Sequence, residues 1–134
     1  MLSPQQLQEF DQQGYLIIPE FISPIQRQGL MQRAEELIEA FEPPPVRSIF
    51  KTDEQERTSD DYFLASGSNV SFFFEEKAID SEGHFTVPKQ QSINKIGHAQ
   101  HRLDPVYKGI VNELDFTSLG RDLGIEKPEA VQSM

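Results

Sequence analysis

The sequence predicts an α+β fold. Two segments near the start carry helix-initiation signals followed by helical periodicity, an aromatic run from Val70 reads as strand, and helical spacing returns after Ser92. With 134 residues there is room for one core, since a chain of that size buries about two thirds of its unfolded surface.

Ser3 is placed to cap a helix, with Pro4 at the first position, Gln6 reaching back as a capping box, and Leu2 and Leu7 at staple spacing. Leu7 and Phe10 share a face until Gly14 stops it. Tyr15-Leu16-Ile17-Ile18-Pro19 is a short continuous apolar run, expected to be a buried strand ended by proline. The start signal recurs at Ser23-Pro24-Ile25-Gln26, and Leu30, Met31, Ala34, Leu37, Ile38 and Phe41 follow the 3.6-residue period. That helix must stop before Pro43-Pro44-Pro45, because proline lacks an amide donor and drives the preceding residue toward extended geometry.

The acidic stretch Thr52–Asp61 holds carboxylates with no spacing that would converge on a cation, so a solvated loop is expected. Val70-Ser71-Phe72-Phe73-Phe74-Glu75 and His84-Phe85-Thr86-Val87 read as two strands of a hairpin turning at Asp80-Ser81-Glu82-Gly83. Three consecutive phenylalanines send rings to both faces of a strand, so each face needs a cover, and core packing is the expected one. Ser92–Leu103 is expected to be a helix with Ile96, Ala99 and Leu103 along one side. Pro105 begins another with Val106, Ile110 and Leu114, and Phe116, Leu119 and Leu123 continue the pattern to Gly124. Beyond Pro128, Ala130–Met134 reads as a strand just starting, so the sequence is expected to stop inside an element. No internal repeat or low-complexity segment is present.

Composition narrows the function classes. A formal net charge of −10, from 12 basic against 22 acidic residues, opposes nucleic-acid binding, which needs clustered Lys and Arg to displace counterions. Zero cysteines exclude thiolate catalysis, disulfides and Cys-ligated metals, leaving His and carboxylates as strong ligands. Met1–Gln6 has neither the basic nor the apolar region of a secretory signal, and no run approaches the ~18 apolar residues of a membrane helix, so a cytoplasmic protein is expected.

Among candidate residues, Lys95 stands in a segment with few other charges, where its ammonium could partner a carboxylate; a solvated or structurally paired lysine is the plainer reading. His98 and His101 fall three apart on the expected helix, which puts both rings on roughly one face. With no third ligand at a helpful spacing, polar or interface histidines are favoured over a metal site. His84 is a weaker candidate still. No Gly-x-Ser-x-Gly elbow, phosphate loop or His-Glu-x-x-His motif occurs.

Taken in order and spacing, Asp61-Tyr62-Phe63-Leu64-Ala65-Ser66-Gly67, Phe72-Phe73-Phe74-Glu75, Ser92-Ile93-Asn94-Lys95-Ile96-Gly97-His98-Ala99 and Val131-Gln132-Ser133-Met134 resemble the phytanoyl-CoA dioxygenase family. The resemblance runs from Leu2-Ser3-Pro4 to Met134. It implies the N-terminal helices and first strands of a double-stranded β-helix, or jelly-roll, oxygenase that uses Fe(II) and 2-oxoglutarate and couples decarboxylation of the latter to hydroxylation of a substrate. The family's iron is held by a His-x-Asp pair and a distal His, a facial triad that leaves positions open for 2-oxoglutarate and oxygen.

Within these 134 residues there is no His-x-Asp or His-x-Glu: Phe85-Thr86 follows His84, Ala99-Gln100 follows His98, and Arg102-Leu103 follows His101. In the family the pair lies beyond the position matching Met134. Residues 1–134 are therefore expected to be the N-terminal portion of a single such domain with an incomplete core, binding no iron, holding no catalytic residue and inactive alone. Two positions carry over from the family: Lys95, the lysine that pairs with a 2-oxoglutarate carboxylate, and Met134, the methionine packed beside that pocket. The alternative expectation is a truncated, non-catalytic isoform that binds a protein partner through its unfinished sheet. The substrate is not specified by these residues.

Overall fold

A two-stranded antiparallel sheet organises the chain, and helices stand on either side of it in sequence. The structure, a computed structural model, describes residues 2–43 and 61–134. Helix α1 (Pro4–Gln13) begins at the expected capping box: Ser3 Oγ accepts from the Gln6 amide at 3.2 Å and Gln6 Oε1 accepts from the Ser3 amide at 2.8 Å. It closes at Gly14, whose φ of 76° is a left-handed value that glycine takes without steric cost. Helix α2 (Pro24–Ala40) repeats the box through Ser23 and Gln26 and ends at Phe41, ahead of the prolines. Between these helices the strand expected over Tyr15–Pro19 does not form. No ladder partner lies beside it among the described residues, and Ile17 is 75% exposed; apolar content alone makes no strand without a neighbour to satisfy its backbone.

Residues 44–60 lie outside the description, and with them Pro44, Pro45 and the acidic loop, except that Asp61 opens α3 (Asp61–Ala65). After a 3-10 turn at Ser66–Ser68 comes β1 (Val70–Phe74), which is the expected strand. Its main partner differs from expectation. The Asp80–Gly83 turn does form, with Asp80 Oδ1 accepting from the Glu82 and His84 amides, but His84–Val87 contributes a single bridge, Phe85 to Ile79. Following the short α4 (Lys89–Ser92), the ladder is filled by β2 (Ile93–His98), in the first half of the stretch expected to be helical. The side chains explain the outcome. Ile93, Ile96 and Lys95 find partners across β1 that no isolated helix offers, and this outweighs the local 3.6-residue pattern.

Register sets the two faces. Phe72 opposes Ile96 and Phe73 opposes Lys95, then an irregularity between Phe73 and Phe74 brings Ile93 opposite Phe74. Asn94 is the extra residue of this bulge, and its side chain donates outward to Glu75 Oε1 at 2.9 Å. One face thus carries Phe72 and Phe74, covered by Phe41 stacked on Phe72 at 4.0 Å and by Phe85 at 5.6 Å from Phe74. The other carries Phe73, covered edge-on by Tyr62 and Phe63 from α3. Both faces are closed by aromatic packing, as three successive phenylalanines require, and Phe73 and Phe74 are each 1% exposed. Tyr62 also closes the outer edge of β1: its hydroxyl accepts from the Phe72 amide at 3.0 Å and donates to the Phe72 carbonyl at 3.2 Å.

Helix α5 (Gln100–Leu103) is all that remains of the expected long helix, and α6 (Pro105–Glu113) follows at once. Asp104 caps α6 by accepting from the Val106 and Tyr107 amides, and its second oxygen accepts from Arg33 Nε at 2.8 Å, tying α2 to α6. Helix α7 (Phe116–Asp122) is capped by Asp115 and docks the start of the chain, where the Leu2 amide donates to Asp122 at 2.6 Å. The strand expected at Ala130–Met134 is reduced to one bridge, Ser133 to His98.

Candidate functional site

Strand alternation brings the site together. Lys95 and Gly97 point to the Phe73 face of β2, and the direct cross-strand pairing of Lys95 with Phe73 lays the lysine chain over that ring. Nζ stands 4.8 Å from the Phe73 centroid and 5.2 Å from that of Phe63, within the range at which ring faces attract a cation. Each contact of this kind is worth about 0.5–2 kcal/mol, depending on desolvation. The two rings form an aromatic floor that directs the ammonium.

Met134 arrives from the end of the sequence. The Ser133–His98 bridge, with the Ser133 amide donating to the His98 carbonyl at 2.9 Å, sets Met134 beside Gly97. A methyl placed on Gly97 would lie 3.6 Å from Met134 Cγ and 4.0 Å from Lys95 Cγ, so the two side chains flank the glycine at van der Waals range. Lys95 and Met134 are thereby neighbours. Met134 is 70% exposed.

The histidines do not share a helical face. His98 ends β2 and His101 lies in α5, because the expected helix is broken between them. Each is engaged by a serine: His98 Nδ1 lies 2.8 Å from Ser66 Oγ, and His101 Nδ1 lies 2.9 Å from Ser133 Oγ. Burial, and secondarily the charge of Lys95, push the His98 pKa below its usual value. Exposed His84 sits 3.6 Å from both Asp80 and Glu82, at the turn in the connection between β1 and β2. Among the described residues no group of three His, Asp or Glu side chains converges as a metal site. No described helix is long and apolar enough to cross a membrane.

Sequence reasoning missed Phe63, Ser66, Gly97 and Ser133 as parts of this site. Pairing Phe73 with Lys95 in the strand register would have found the aromatic floor; the serine contacts depend on tertiary placement, although Ser66 and Ser133 stand in segments that carry the family resemblance.

The mixed helix-and-sheet scaffold thus presents Lys95 on an aromatic floor beside Met134. The phytanoyl-CoA dioxygenase (PhyH) family matches residues 10–132. The chain belongs to that family. It is 47% identical over 133 residues to a phytanoyl-CoA dioxygenase of Arabidopsis thaliana, covering 99% of this chain and 47% of the relative. Phytanoyl-CoA dioxygenase domain-containing protein 1 of Bos taurus is 41% identical over 138 residues, and that of Danio rerio 37% over 139, again with 47% and 48% of the relatives covered. The chain thus spans about half the length of the curated relatives it matches.

Proposed function

We propose that residues 1–134 are the N-terminal portion of one Fe(II)- and 2-oxoglutarate-dependent dioxygenase domain of double-stranded β-helix type, and that they supply its co-substrate side. The observation that carries this reading is the convergence of Lys95 and Met134 on Gly97. In this arrangement the ammonium pairs with one carboxylate of 2-oxoglutarate, a charge-assisted contact, while Met134 packs against the carbon chain. Bound iron would supply the oxidation that couples 2-oxoglutarate decarboxylation to hydroxylation. These residues bind and orient the acid, and Phe63 and Phe73 exclude water beneath the lysine. With no His-x-Asp among them, the 134 residues perform no turnover alone. The oxidised substrate is left unassigned.

The test is a titration of 2-oxoglutarate into the 134-residue chain, followed by NMR, with Lys95→Met and Lys108→Met compared. Weak binding is expected in wild type and Lys108→Met and its loss in Lys95→Met, since a hydrogen bond to a charged group contributes about 1.5–3 kcal/mol, or about 10- to 150-fold in affinity. Equal binding in both variants overturns the assignment, and iron-dependent release of carbon dioxide by the chain overturns its inactivity.

A second reading, a non-catalytic module that docks a protein partner, is favoured by the exposure of Ile17 at 75%, Ile25 at 80% and Val131 at 87%. It requires a monomeric, cooperatively folded protein, which sedimentation and urea unfolding would test.

A further inference from the structure

His98 is 5% exposed, and among the described residues its ring has one polar partner, Ser66, whose own hydrogen is already committed. A serine hydroxyl carries a single hydrogen, and Ser66 directs it to the Phe63 carbonyl at 2.5 Å. The Ser66 oxygen must then accept from His98, 2.8 Å away, which assigns the hydrogen of the ring to Nδ1 and leaves the lone pair of the neutral imidazole on Nε2. The chain of hydrogen bonds ends on the backbone of Phe63, the residue whose ring forms half of the floor under Lys95.

The same two rings serve both basic groups. Phe63 lies 5.6 Å from the His98 ring and 5.2 Å from Lys95 Nζ; Phe73 lies 5.7 Å from the first and 4.8 Å from the second. We infer that His98 is a positioning residue for the Lys95 ammonium, acting through Ser66 and Phe63. It fixes the ring on which the cation rests, and as a neutral imidazole it adds no second positive charge beside Lys95. Lys95 is the charged group whose field reaches it, while Phe63, Phe73 and Ser66, the other groups against the ring, do not ionise in the accessible pH range. This assignment gives the proposed carboxylate site a support that its own two residues do not include, and for its binding arm it rests on the reading of Lys95 given above.

The experiment uses the 134-residue chain with His98→Asn, His98→Leu and Ser66→Ala. Asn keeps a donor near the position of Nδ1, Leu removes it, and Ser66→Ala removes the relay with little change of volume. Two readouts are taken by NMR: the upfield ring-current shift of the Lys95 ε-methylene protons, and the affinity for 2-oxoglutarate as a function of pH. His98→Asn should retain the shift and bind with affinity close to wild type but without its pH dependence. His98→Leu and Ser66→Ala should lose the shift and bind about tenfold more weakly, equivalent to about 1.4 kcal/mol. Nitrogen-15 shifts of the wild-type ring should give a protonated Nδ1 and an unprotonated Nε2 at neutral pH.

An unchanged Lys95 shift in folded Ser66→Ala, or the opposite tautomer, overturns the inference; Ser66→Ala decides the matter if His98→Leu fails to fold. Should the shifts behave as expected while no form binds 2-oxoglutarate, the positioning role stands and the co-substrate reading falls.

Discussion

Replacing Tyr62 by Phe removes one oxygen and leaves a ring that can keep its edge-on contact with Phe73 at 5.5 Å. That oxygen serves the backbone amide and carbonyl of Phe72, a residue 7% exposed, at 3.0 and 3.2 Å. Stranding a buried donor or acceptor costs about 1–3 kcal/mol each. Because these bonds are only part-buried, water can reach the edge and the lower part of that range applies, giving about 2–3 kcal/mol in all. With an unfolding entropy of about 2.1 cal/mol/K per residue, 134 residues give about 280 cal/mol/K, so the midpoint should fall by about 7–11 °C. Thermal unfolding by circular dichroism measures the midpoint, and hydrogen exchange at the Phe72 amide localises the cause. A midpoint within about 2 °C of wild type, with Phe72 still protected, would refute the role of the phenol as the edge's partner.

Gly120→Ala would place a methyl 2.6 Å from Pro128 Cβ; overpacking of about 1–3 kcal/mol should exceed the helix-propensity gain of about 1 kcal/mol, and urea unfolding should show net destabilisation. For Asp104, alanine loses both the cap of α6 and the partner of Arg33, whereas asparagine retains the cap, so the melting order should be wild type, Asp104→Asn, Asp104→Ala, with about 1 kcal/mol separating the last two. The depressed pKa of His98 means that the unfolded chain binds a proton more readily than the folded one below the ordinary value near 6.5. Stability should therefore rise with pH from the depressed folded value up to about 6.5, and His98→Asn should flatten this part of the urea-midpoint profile.

What was legible in the sequence follows the range of the forces involved. The capping boxes at Ser3 and Ser23 are local hydrogen bonds among neighbours, and both helices begin where those residues say. Phe72-Phe73-Phe74 announced a strand with two covered faces, and both faces are covered. Tyr15–Pro19 and Ser92–Leu103 were misjudged for one reason: whether an apolar run becomes a strand depends on a partner elsewhere in the chain. The first run has none among the described residues, and the second has β1. Lys95 and Met134 stood out through family resemblance, and their convergence on Gly97 depends on a ladder and a bridge that no local pattern encodes.

The bulge at Asn94 gives the strand an uneven tolerance of changes in length. In a regular strand Ile93 and Ile96 would face opposite ways; the extra residue lets both oppose phenylalanines of one face while Lys95 keeps the other. Deleting Asn94 would leave Ile93, Lys95, Ile96 and Gly97 opposite their present partners in an unbroken ladder. Deleting Ile96 instead would move Lys95 by one place and turn its ammonium away from Phe63, since a single step exchanges the faces of a strand. Of two codon losses on either side of Lys95, one is absorbed by the fold and the other removes the cation from its floor.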